Sequence, residues 1–319
     1  MQRDNGDEED VFVSEVCWNY YVNEMTQAEV AAVMGVTRLR VNQAIQKARA
    51  QGIIRIQIES PFLEGLSCAA EVRSAYGVAN VLVAPTHPDN YNYHAPAGAA
   101  LASHLTSRLS QKAFRSIGVS WGMTLEAAAR RLVRQTNPEL EVVSMLGGTT
   151  RGASFNTFGV ASAFAEALGA KYSLLAAPIY LAPGLTRDSF LSQAVFEAHF
   201  ERLRTLDVAI LTASDVSARS FLVENGLPRD VTPEDLGAAG AVGDVLGQFL
   251  DAEGNDIDHP IHERAVAIDL PTVSRIPEKI LAAAGPHKVD IIRAAIRRGL
   301  VDTLVTDDRT ARLLLEAAR

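Results

Sequence analysis

The chain contains 319 residues, with a formal net charge of −8, two cysteines, 48% hydrophobic residues and 21% charged residues. These values are ordinary for a soluble globular protein, and the length is sufficient for two domains with a sizeable core. The negative net charge excludes nucleic-acid binding over the whole surface, so any such contact must be local.

The first ten residues, MQRDNGDEED, are acidic, which is the reverse of the basic start of a signal peptide. The apolar runs elsewhere are too short to span a bilayer. Cys17 and Cys68 lack the spacing of metal ligands and are expected to be reduced, buried hydrophobic side chains. We therefore predict a cytoplasmic protein without a membrane partner.

The first 60 residues are predicted to hold a small helical domain. After a disordered acidic tail, a leading helix is expected at residues 11–21, and the β-branched segment 53–58 is expected to form a strand or wing. Pro61 disfavours a helical conformation at Ser60, which favours a domain boundary there. The predicted tail, first domain and second domain span residues 1–10, 11–60 and 61–319.

Two short helices around a tight turn are predicted within residues 26–50. Thr26 and Glu29 have the spacing of a capping box, and Gly35 is suited to the left-handed conformation of the turn. Thr37 is then placed to cap the second helix. The buried face of that helix is expected to consist of Val41, Ala44, Ile45 and Ala48. This arrangement predicts a helix–turn–helix.

The opposite face of the second helix carries cationic and amide side chains together with Leu39. Arg and Lys bind phosphates and guanine edges, Asn and Gln can pair with adenine, and a leucine can contact a thymine methyl. Residues 26–58 contain five cationic side chains against one acidic side chain, a local net charge of +4. We therefore predict binding to double-stranded operator DNA through Thr37, Arg38, Leu39, Arg40, Asn42, Gln43, Gln46 and Lys47. The alternative is an ordinary helical hairpin with a solvated charged face.

Beyond the boundary, short apolar strands alternate with helices. Strands are expected at residues 79–84, 117–120, 141–146, 207–211 and 302–306. Helices are expected at residues 63–76, 96–112, 157–168 and 308–318, with others running from the 118–124 loop to 134 and starting near 231. This alternation predicts a mostly parallel, doubly wound α/β sheet, in which ligands bind at the carboxyl ends of the strands.

Two loops at predicted strand ends could bind an anion. Gly118–Thr124 (GVSWGMT) combines a small-residue turn, a hydroxyl and a helix start, which suits a phosphate. Gly147–Arg151 (GGTTR) places an arginine beside two hydroxyls. A tight strand–helix turn and a surface turn with a solvated arginine are the respective alternatives.

A third group of candidates comes late in the chain and consists of Gly243-Asp244, Gly285-Pro286-His287-Lys288 and Thr306-Asp307-Asp308. Aspartate carboxylates accept hydrogen bonds from sugar hydroxyls, and a lysine can hold a phosphate or carboxylate. As alternatives, Asp308 could cap the last helix and Lys288 could be solvated, or could form a Schiff base if its pKa were lowered.

Metal, cofactor and catalytic residues are not predicted. The 251–258 segment, DAEGNDID, has its glycine in the wrong place for an EF-hand and is expected to be a hairpin turn. A polar loop is a better interpretation than a metal site for Asp256, Asp258, His259 and His262. The sequence shows no obvious pair of nucleophile and base.

Several motifs in a fixed order resemble the SorC family of sugar-binding bacterial transcriptional regulators over nearly the whole chain. In the first domain they are Tyr20-Tyr21, TQAEVA at 26–31, GVTR at 35–38 and ARAQGI at 48–53. In the second domain they are Gly118–Thr124, AVGDVLGQF at 241–249, IPE at 276–278, Lys288 and LVTDD at 304–308 with Thr310-Ala311.

The resemblance implies an N-terminal helix–turn–helix joined to an effector domain that resembles sugar-phosphate isomerases and deaminases but does not turn over a substrate. It implies a sugar, sugar-alcohol or sugar-phosphate effector, with regulators of erythritol catabolism as the subgroup, and a homodimer or homotetramer. The implied effector-binding residues are Gly118, Ser120, Trp121, Gly122, Met123, Thr124, Gly147, Gly148, Gly243, Asp244, Lys288 and Asp307. The loop argument adds Thr149 and Arg151.

The chain departs from the family pattern at three places. Ser120 replaces the usual second glycine of the first loop, Gly285-Pro286 replaces a Gly-Gly pair, and Thr212-Ala213-Ser214 replaces a glycine-rich turn. The leading hypothesis is an effector-controlled repressor or activator of a carbohydrate operon. The alternatives are a sugar-phosphate isomerase or deaminase carrying a DNA-binding domain, with Asp244 and Lys288 as acid and base, and a non-specific architectural protein.

Overall fold

The chain divides into two compact units, Met1–Ile58 and Glu59–Arg319. The computed structural model describes residues 5–54, 67–87, 89–152, 154–185 and 187–319. The boundary predicted at Ser60-Pro61 and most of the strand predicted at 53–58 lie outside these residues. Residues 53 and 54 form a bend. No helix in the described part of the chain has both the length and the apolar character needed to span a bilayer.

The described residues of the N-terminal unit form three α-helices and one π-helical turn. They are α1 (Asn5–Cys17), the π-helical turn (Trp18–Val22), α2 (Gln27–Met34) and α3 (Arg38–Ala50). The disorder predicted for residues 1–10 is wrong for residues 5–10, which belong to α1. The helix dipole favours acidic side chains in the first turns of a helix, so an acidic run can begin a helix and need not be disordered.

The predicted turn between α2 and α3 is confirmed. The Thr26 backbone N–H donates to Glu29 Oε2 over 2.7 Å, while the Glu29 N–H donates to Thr26 Oγ1 over 3.3 Å. Gly35 ends α2 with φ +65°, and Thr37 Oγ1 accepts from the Arg40 N–H over 3.2 Å. The core beneath these helices is formed by Val13, Val16, Cys17, Val30, Ala31, Val41, Ala44, Ile45 and Ala48.

The second unit alternates strands with helices. Its strands are β1 (Asn80–Ala84), β2 (Ser116–Val119), β3 (Glu141–Ser144), β4 (Lys171–Ser173), β5 (Val208–Leu211), β6 (Ala213–Ser214), β7 (Gly243–Val245), β8 (Gln248–Leu250), β9 (Glu278–Ala282) and β10 (Thr303–Asp307). Its helices are α4 (Ser67–Tyr76), α5 (His94–Ser110), α6 (Met123–Ala129), α7 (Thr157–Leu168), α8 (Arg187–Leu191), α9 (Ala194–Arg204), α10 (Phe221–Asn225), α11 (Pro233–Ala238), α12 (Ile261–Arg264), α13 (Leu270–Ser274), α14 (Val289–Arg297) and α15 (Asp308–Ala317), with a 3₁₀ turn at Pro286–Lys288.

The described strands form a seven-stranded parallel sheet in the order β1-β10-β9-β5-β2-β3-β4, and a small antiparallel sheet in the order β6-β7-β8. The large sheet is buried on both faces. Along β5, Ile210 contributes to the core on one face, while Ala209 and Leu211 contribute to the core on the other. This alternation is the period of a strand covered on both sides, and the predicted doubly wound α/β class is confirmed.

Several short elements were not predicted, including β4, β6, β7, β8 and β9 as well as α9 and α14. Strands of two or three residues are too short to show a period, and β9 begins with two charged residues, Glu278 and Lys279. Lys279 is nevertheless buried, because its Nζ lies 2.7 Å from Asp302 Oδ2 and 3.0 Å from the Ile276 carbonyl oxygen. A pairing partner over 20 residues away is not visible in the local pattern.

Candidate effector site and DNA-facing helix

Asp244 and Lys288 lie close enough for the charge of each to affect the pKa of the other. Asp244 lies in β7 and is 2% exposed. Ser214 Oγ donates to one carboxylate oxygen, and the Gly247 N–H donates to the other over 2.9 Å. Burial raises the pKa of Asp244 to about 6, although these hydrogen bonds and the nearby Lys288 charge oppose the rise. The Asp244 carboxylate is therefore a fixed hydrogen-bond acceptor that changes its protonation near pH 6.

Lys288 ends the 3₁₀ turn before α14 and is 8% exposed, so the solvated alternative is wrong. Burial lowers its pKa to about 8, while the carboxylates of Asp215 and Asp244 favour the charged form. Near pH 7 the site therefore contains an ammonium group opposite two carboxylates. An anionic or hydroxyl-rich ligand could bind to both kinds of group.

Two histidines and a tyrosine lie in the same region. His287 belongs to the third predicted group, whereas Tyr93 and His94 were not predicted. The His94 Nδ1 and Thr124 Oγ1 atoms lie 2.9 Å apart, and the Tyr93 ring lies 4.3 Å from the His94 ring and 5.3 Å from the His287 ring. Burial, then the charges of Lys288 and His287, lower the pKa of His94 to about 3. His94 is thus neutral near pH 7, and a neutral imidazole can both donate and accept a hydrogen bond. The clustering of aromatic and imidazole residues in YNYH was the available signal.

The glycine loops do not present the free N–H groups that the sequence suggested. The N–H groups of Gly122, Gly147 and Gly148 each donate over 2.8 Å to the carbonyl oxygens of Phe155, Val266 and Ala177 respectively. Three of the amide donors expected for an anion are therefore already bonded within the protein. Sequence patterns locate a turn but not the carbonyl that approaches it from another segment.

Close packing accounts for three of the predicted glycines. A Cβ atom on Gly118 would lie 2.5 Å from Leu206 Cδ1 and 2.7 Å from Met145 Sδ. One on Gly147 would lie 2.7 Å from the Ala177 carbonyl oxygen, and one on Gly243 would lie 2.7 Å from Ile291 Cβ. These glycines allow elements to approach closely, which is a role distinct from contact with an effector.

The remaining residues of the first loop lie at the end of β2. Ser120 is fully buried, and its Oγ lies 3.3 Å from Thr212 Oγ1, which donates to the Trp121 carbonyl oxygen over 2.9 Å. Trp121 is buried and packs against Phe221 at 5.2 Å between ring centroids. Met123 is 48% exposed, whereas Thr124 is 2% exposed and bonds to His94. Met123 is thus the exposed side chain of this loop, and Thr124 joins the loop to His94.

The second loop is held by Asn156. The Asn156 Nδ2 group donates to the backbone carbonyl oxygens of Thr149 and Arg151. Its Oδ1 atom is buried and has no hydrogen-bond partner among the described residues. Thr149 Oγ1 donates to the Arg151 carbonyl oxygen over 3.0 Å, and the Arg151 side chain is exposed. Thr149 and Arg151 therefore stay predicted effector contacts.

Asp307 caps α15, and its role in effector binding stays a prediction. Its Oδ1 accepts from the N–H groups of Arg309 and Thr310, each over 2.8 Å. Its Oδ2 accepts from Thr310 Oγ1 over 2.8 Å and from Tyr91 Oη over 3.0 Å. The carboxylate is fully buried and accepts from four donors, so it has a structural role in the protein itself.

The outer face of α3 is exposed, as predicted. Thr37, Arg38, Arg40, Asn42, Gln43 and Gln46 are exposed, Leu39 is 66% exposed and Lys47 is half-buried. An unpartnered leucine in the middle of a polar face is consistent with contact to a base.

Comparison with known proteins supports this description. A family model described as "Putative sugar-binding domain" matches residues 60–316. The erythritol catabolism regulatory protein EryD of Brucella abortus is 28% identical over 311 residues, which cover 97% of this chain and 98% of that protein. The transcriptional regulator LsrR of Escherichia coli K12 is 27% identical over 308 residues, which cover 96% of this chain and 94% of that protein.

Solved structures of regulators share the fold. The full-length sorbitol operon regulator SorC of Klebsiella pneumoniae superposes with a TM-score of 0.68 at 23% identity, covering 97% of this chain and 99% of that one. These relatives and structural neighbours are transcriptional regulators and not enzymes, which favours the regulator hypothesis over the isomerase or deaminase alternative. The match to residues 60–316 shows that the chain belongs to the family described as "Putative sugar-binding domain", within the SorC-type regulators that the sequence resembles.

Proposed function

We propose that this chain is a cytoplasmic, DNA-binding regulator of a carbohydrate or sugar-alcohol catabolic operon, controlled by a small effector. The observation that carries the proposal is the convergence of buried Asp244 and Lys288 within a domain of the sugar-binding family. The exposed polar face of α3 would contact operator DNA. A homodimer or homotetramer would place two such helices on half-sites one or more helical turns apart, about 34 Å each.

The chemistry of Asp244, His94 and Lys288 favours a hydroxyl-rich ligand. Asp244 can accept hydrogen bonds from hydroxyl groups, neutral His94 can donate or accept, and Lys288 can hold an anionic group. The relatives are named for erythritol catabolism and the sorbitol operon, so polyols and their phosphates are the first compounds to test. Binding would shift the population between states that present the recognition helices differently, which requires different effector affinity for the two states.

A thermal-shift screen against paired neutral and phosphorylated polyols tests the proposal. An effector present at about 100 times its dissociation constant should stabilise the folded state by about 2.7 kcal/mol. The Lys288→Met variant should fold and lose this response, because the ammonium group is removed from a site whose burial already disfavours charge. A matched response of the variant and the wild type to every compound would contradict the assignment of Lys288.

The Arg38→Ala substitution should weaken operator binding by about 1–3 kcal/mol and relax sequence specificity at one position. Arg38 is exposed at the start of α3, where a side chain can reach base edges. Anisotropy titrations with operator and scrambled duplexes measure both effects. Unchanged operator affinity would show that Arg38 does not read bases.

A further inference from the structure

Arg40 and Lys47, two of the predicted DNA contacts, are cations that would bind DNA phosphates, and each faces an acidic side chain of α1. Arg40 Nη2 lies 3.8 Å from Glu9 Oε2, and Lys47 Nζ lies 3.5 Å from Asp10 Oδ1. The Arg40 guanidinium also lies over the Phe12 ring, 4.6 Å from its centroid. Since Arg40 and Lys47 are seven residues apart, they lie on the same side of α3, and the start of α1 runs along that side.

These charged groups border a groove of about 410 Å³. The groove is lined by Glu9, Thr37, Leu39, Arg40, Gln43, Ala44 and Lys47. Most of its lining residues are therefore candidate DNA contacts. The four paired side chains are between 35% and 64% exposed, so a phosphate in solution can reach each cation and each acid. A DNA strand that contacts Arg40 or Lys47 would pass beside a carboxylate.

The charge of the whole N-terminal unit agrees with this arrangement. Residues 26–58 have a net charge of +4, but residues 1–58 contain six cationic and eight acidic side chains, a net charge of −2. The acidic residues outside the helix–turn–helix thus more than offset its positive charge. A DNA-binding unit with negative net charge will have weak electrostatic attraction to phosphate unless the local patch dominates.

We propose that Glu9 and Asp10 set the DNA affinity of this protein by competing with DNA phosphates for Arg40 and Lys47. The inference rests on the proposed DNA-binding function. Exposed ion pairs are weak, so each cation can exchange its carboxylate for a phosphate. The released carboxylates then lie next to the DNA backbone, and their repulsion lowers the affinity for any duplex. This competition keeps non-specific binding low, so that base contacts from α3 decide whether the protein stays bound.

The test compares three full-length proteins on a labelled random-sequence duplex of about 30 base pairs, across a salt series. They are the wild type, Glu9→Gln/Asp10→Asn and the control Glu15→Gln/Glu24→Gln. The control removes the same two charges from exposed positions in the same unit. In the described part of the chain, neither Glu15 nor Glu24 forms an ion pair with a cation. All replaced side chains are surface groups, and thermal unfolding should verify that the three proteins are equally folded.

We expect Glu9→Gln/Asp10→Asn to bind the random duplex about 10-fold more tightly than the wild type at low salt, and the control to change affinity less than about 3-fold. The slope of log affinity against log salt concentration should become more negative by about 1 to 2 for the first variant only. Equal effects of the two double variants would overturn the inference, because overall charge would then explain them. Unchanged binding by Glu9→Gln/Asp10→Asn would also overturn the inference, but it would leave the proposed DNA binding intact. Failure of all three proteins to bind any duplex at low salt would overturn the proposed function as well.

Discussion

Replacing Asp307 with alanine should lower the free energy of unfolding of the second unit by about 3–5 kcal/mol. The fully buried carboxylate accepts four hydrogen bonds at the start of α15. Alanine would leave the buried Thr310 N–H and hydroxyl without an acceptor and would remove the helix cap, which alone contributes about 1 kcal/mol. Urea unfolding followed by circular dichroism measures the change.

A matched variant separates the capping role from a ligand role. Asp307→Asn keeps an oxygen that can accept from the Arg309 and Thr310 N–H groups, so it should recover part of the stability lost in Asp307→Ala. The exposed Asp290→Asn variant should change stability by less than about 0.5 kcal/mol. Near-normal stability of Asp307→Ala would show that the carboxylate is held for a ligand, as the sequence suggested.

The Asp244→Asn variant should gain stability relative to the wild type as the pH rises, by about 2 kcal/mol between about pH 4.5 and about pH 7.5. Burial raises the pKa of Asp244 from 3.8 to about 6 in the folded protein. A raised carboxyl pKa contributes stability that is fully present below about pH 3.8 and is lost as the pH rises through about 6. Asparagine cannot ionise, so the variant does not lose this stability as the pH rises.

The shifted pKa of Lys288 changes the free energy of unfolding with pH in the opposite direction and at higher pH. Burial lowers its pKa from 10.5 to about 8, so its contribution to stability is present above about pH 10.5 and is lost as the pH falls through about 8.

The raised pKa of Asp244 is tested by the unfolding free energies of the wild type, Asp244→Asn and the Asp290→Asn control, measured over the same pH range. Parallel curves for the wild type and Asp244→Asn would show that the Asp244 carboxyl is not desolvated.

The pair of shifted groups also predicts how effector binding should depend on pH. Between about pH 6 and about pH 8 the Asp244 carboxylate and the Lys288 ammonium are both charged. A ligand that contacts both should bind most tightly in this window and more weakly on either side of it. Thermal shifts with the effector identified in the screen, repeated across pH, would show a single maximum. A monotonic dependence would mean that only one of the two groups contacts the ligand.

The helix–turn–helix and the parallel sheet could be predicted from the sequence, because their signals are local. The Thr26–Glu29 capping box and the Gly35 turn involve atoms only a few residues apart. The alternation of short apolar strands with helices likewise predicts a parallel sheet, and its strand ends pointed to Asp244 and Lys288. The helix at residues 5–10 was missed because a run of acidic residues was interpreted from composition alone.

The details of the pocket depended on distant parts of the chain. The sequence predicted turns at Gly122, Gly147 and Gly148. In the structure Gly148 instead pairs with Pro178 in an isolated bridge, and carbonyl oxygens from other segments accept from all three N–H groups. It suggested Asp308 as the cap of the last helix, whereas Asp307 is the residue that caps it. Neither outcome can be inferred from spacing, since each depends on which groups the fold brings within about 3 Å.

By itself, the sequence determined the two-part plan, the exposed face of α3 and the sheet edge that carries the candidate site. It could do so because periodicity and capping act over one or two helical turns. Only the tertiary structure decided that Tyr93 and His94 lie beside His287 and Lys288, and that Glu9 and Asp10 face the cations of α3. Hydrogen bonds, burial and charge pairing across distant segments depend on how those segments pack, and no local pattern records that packing.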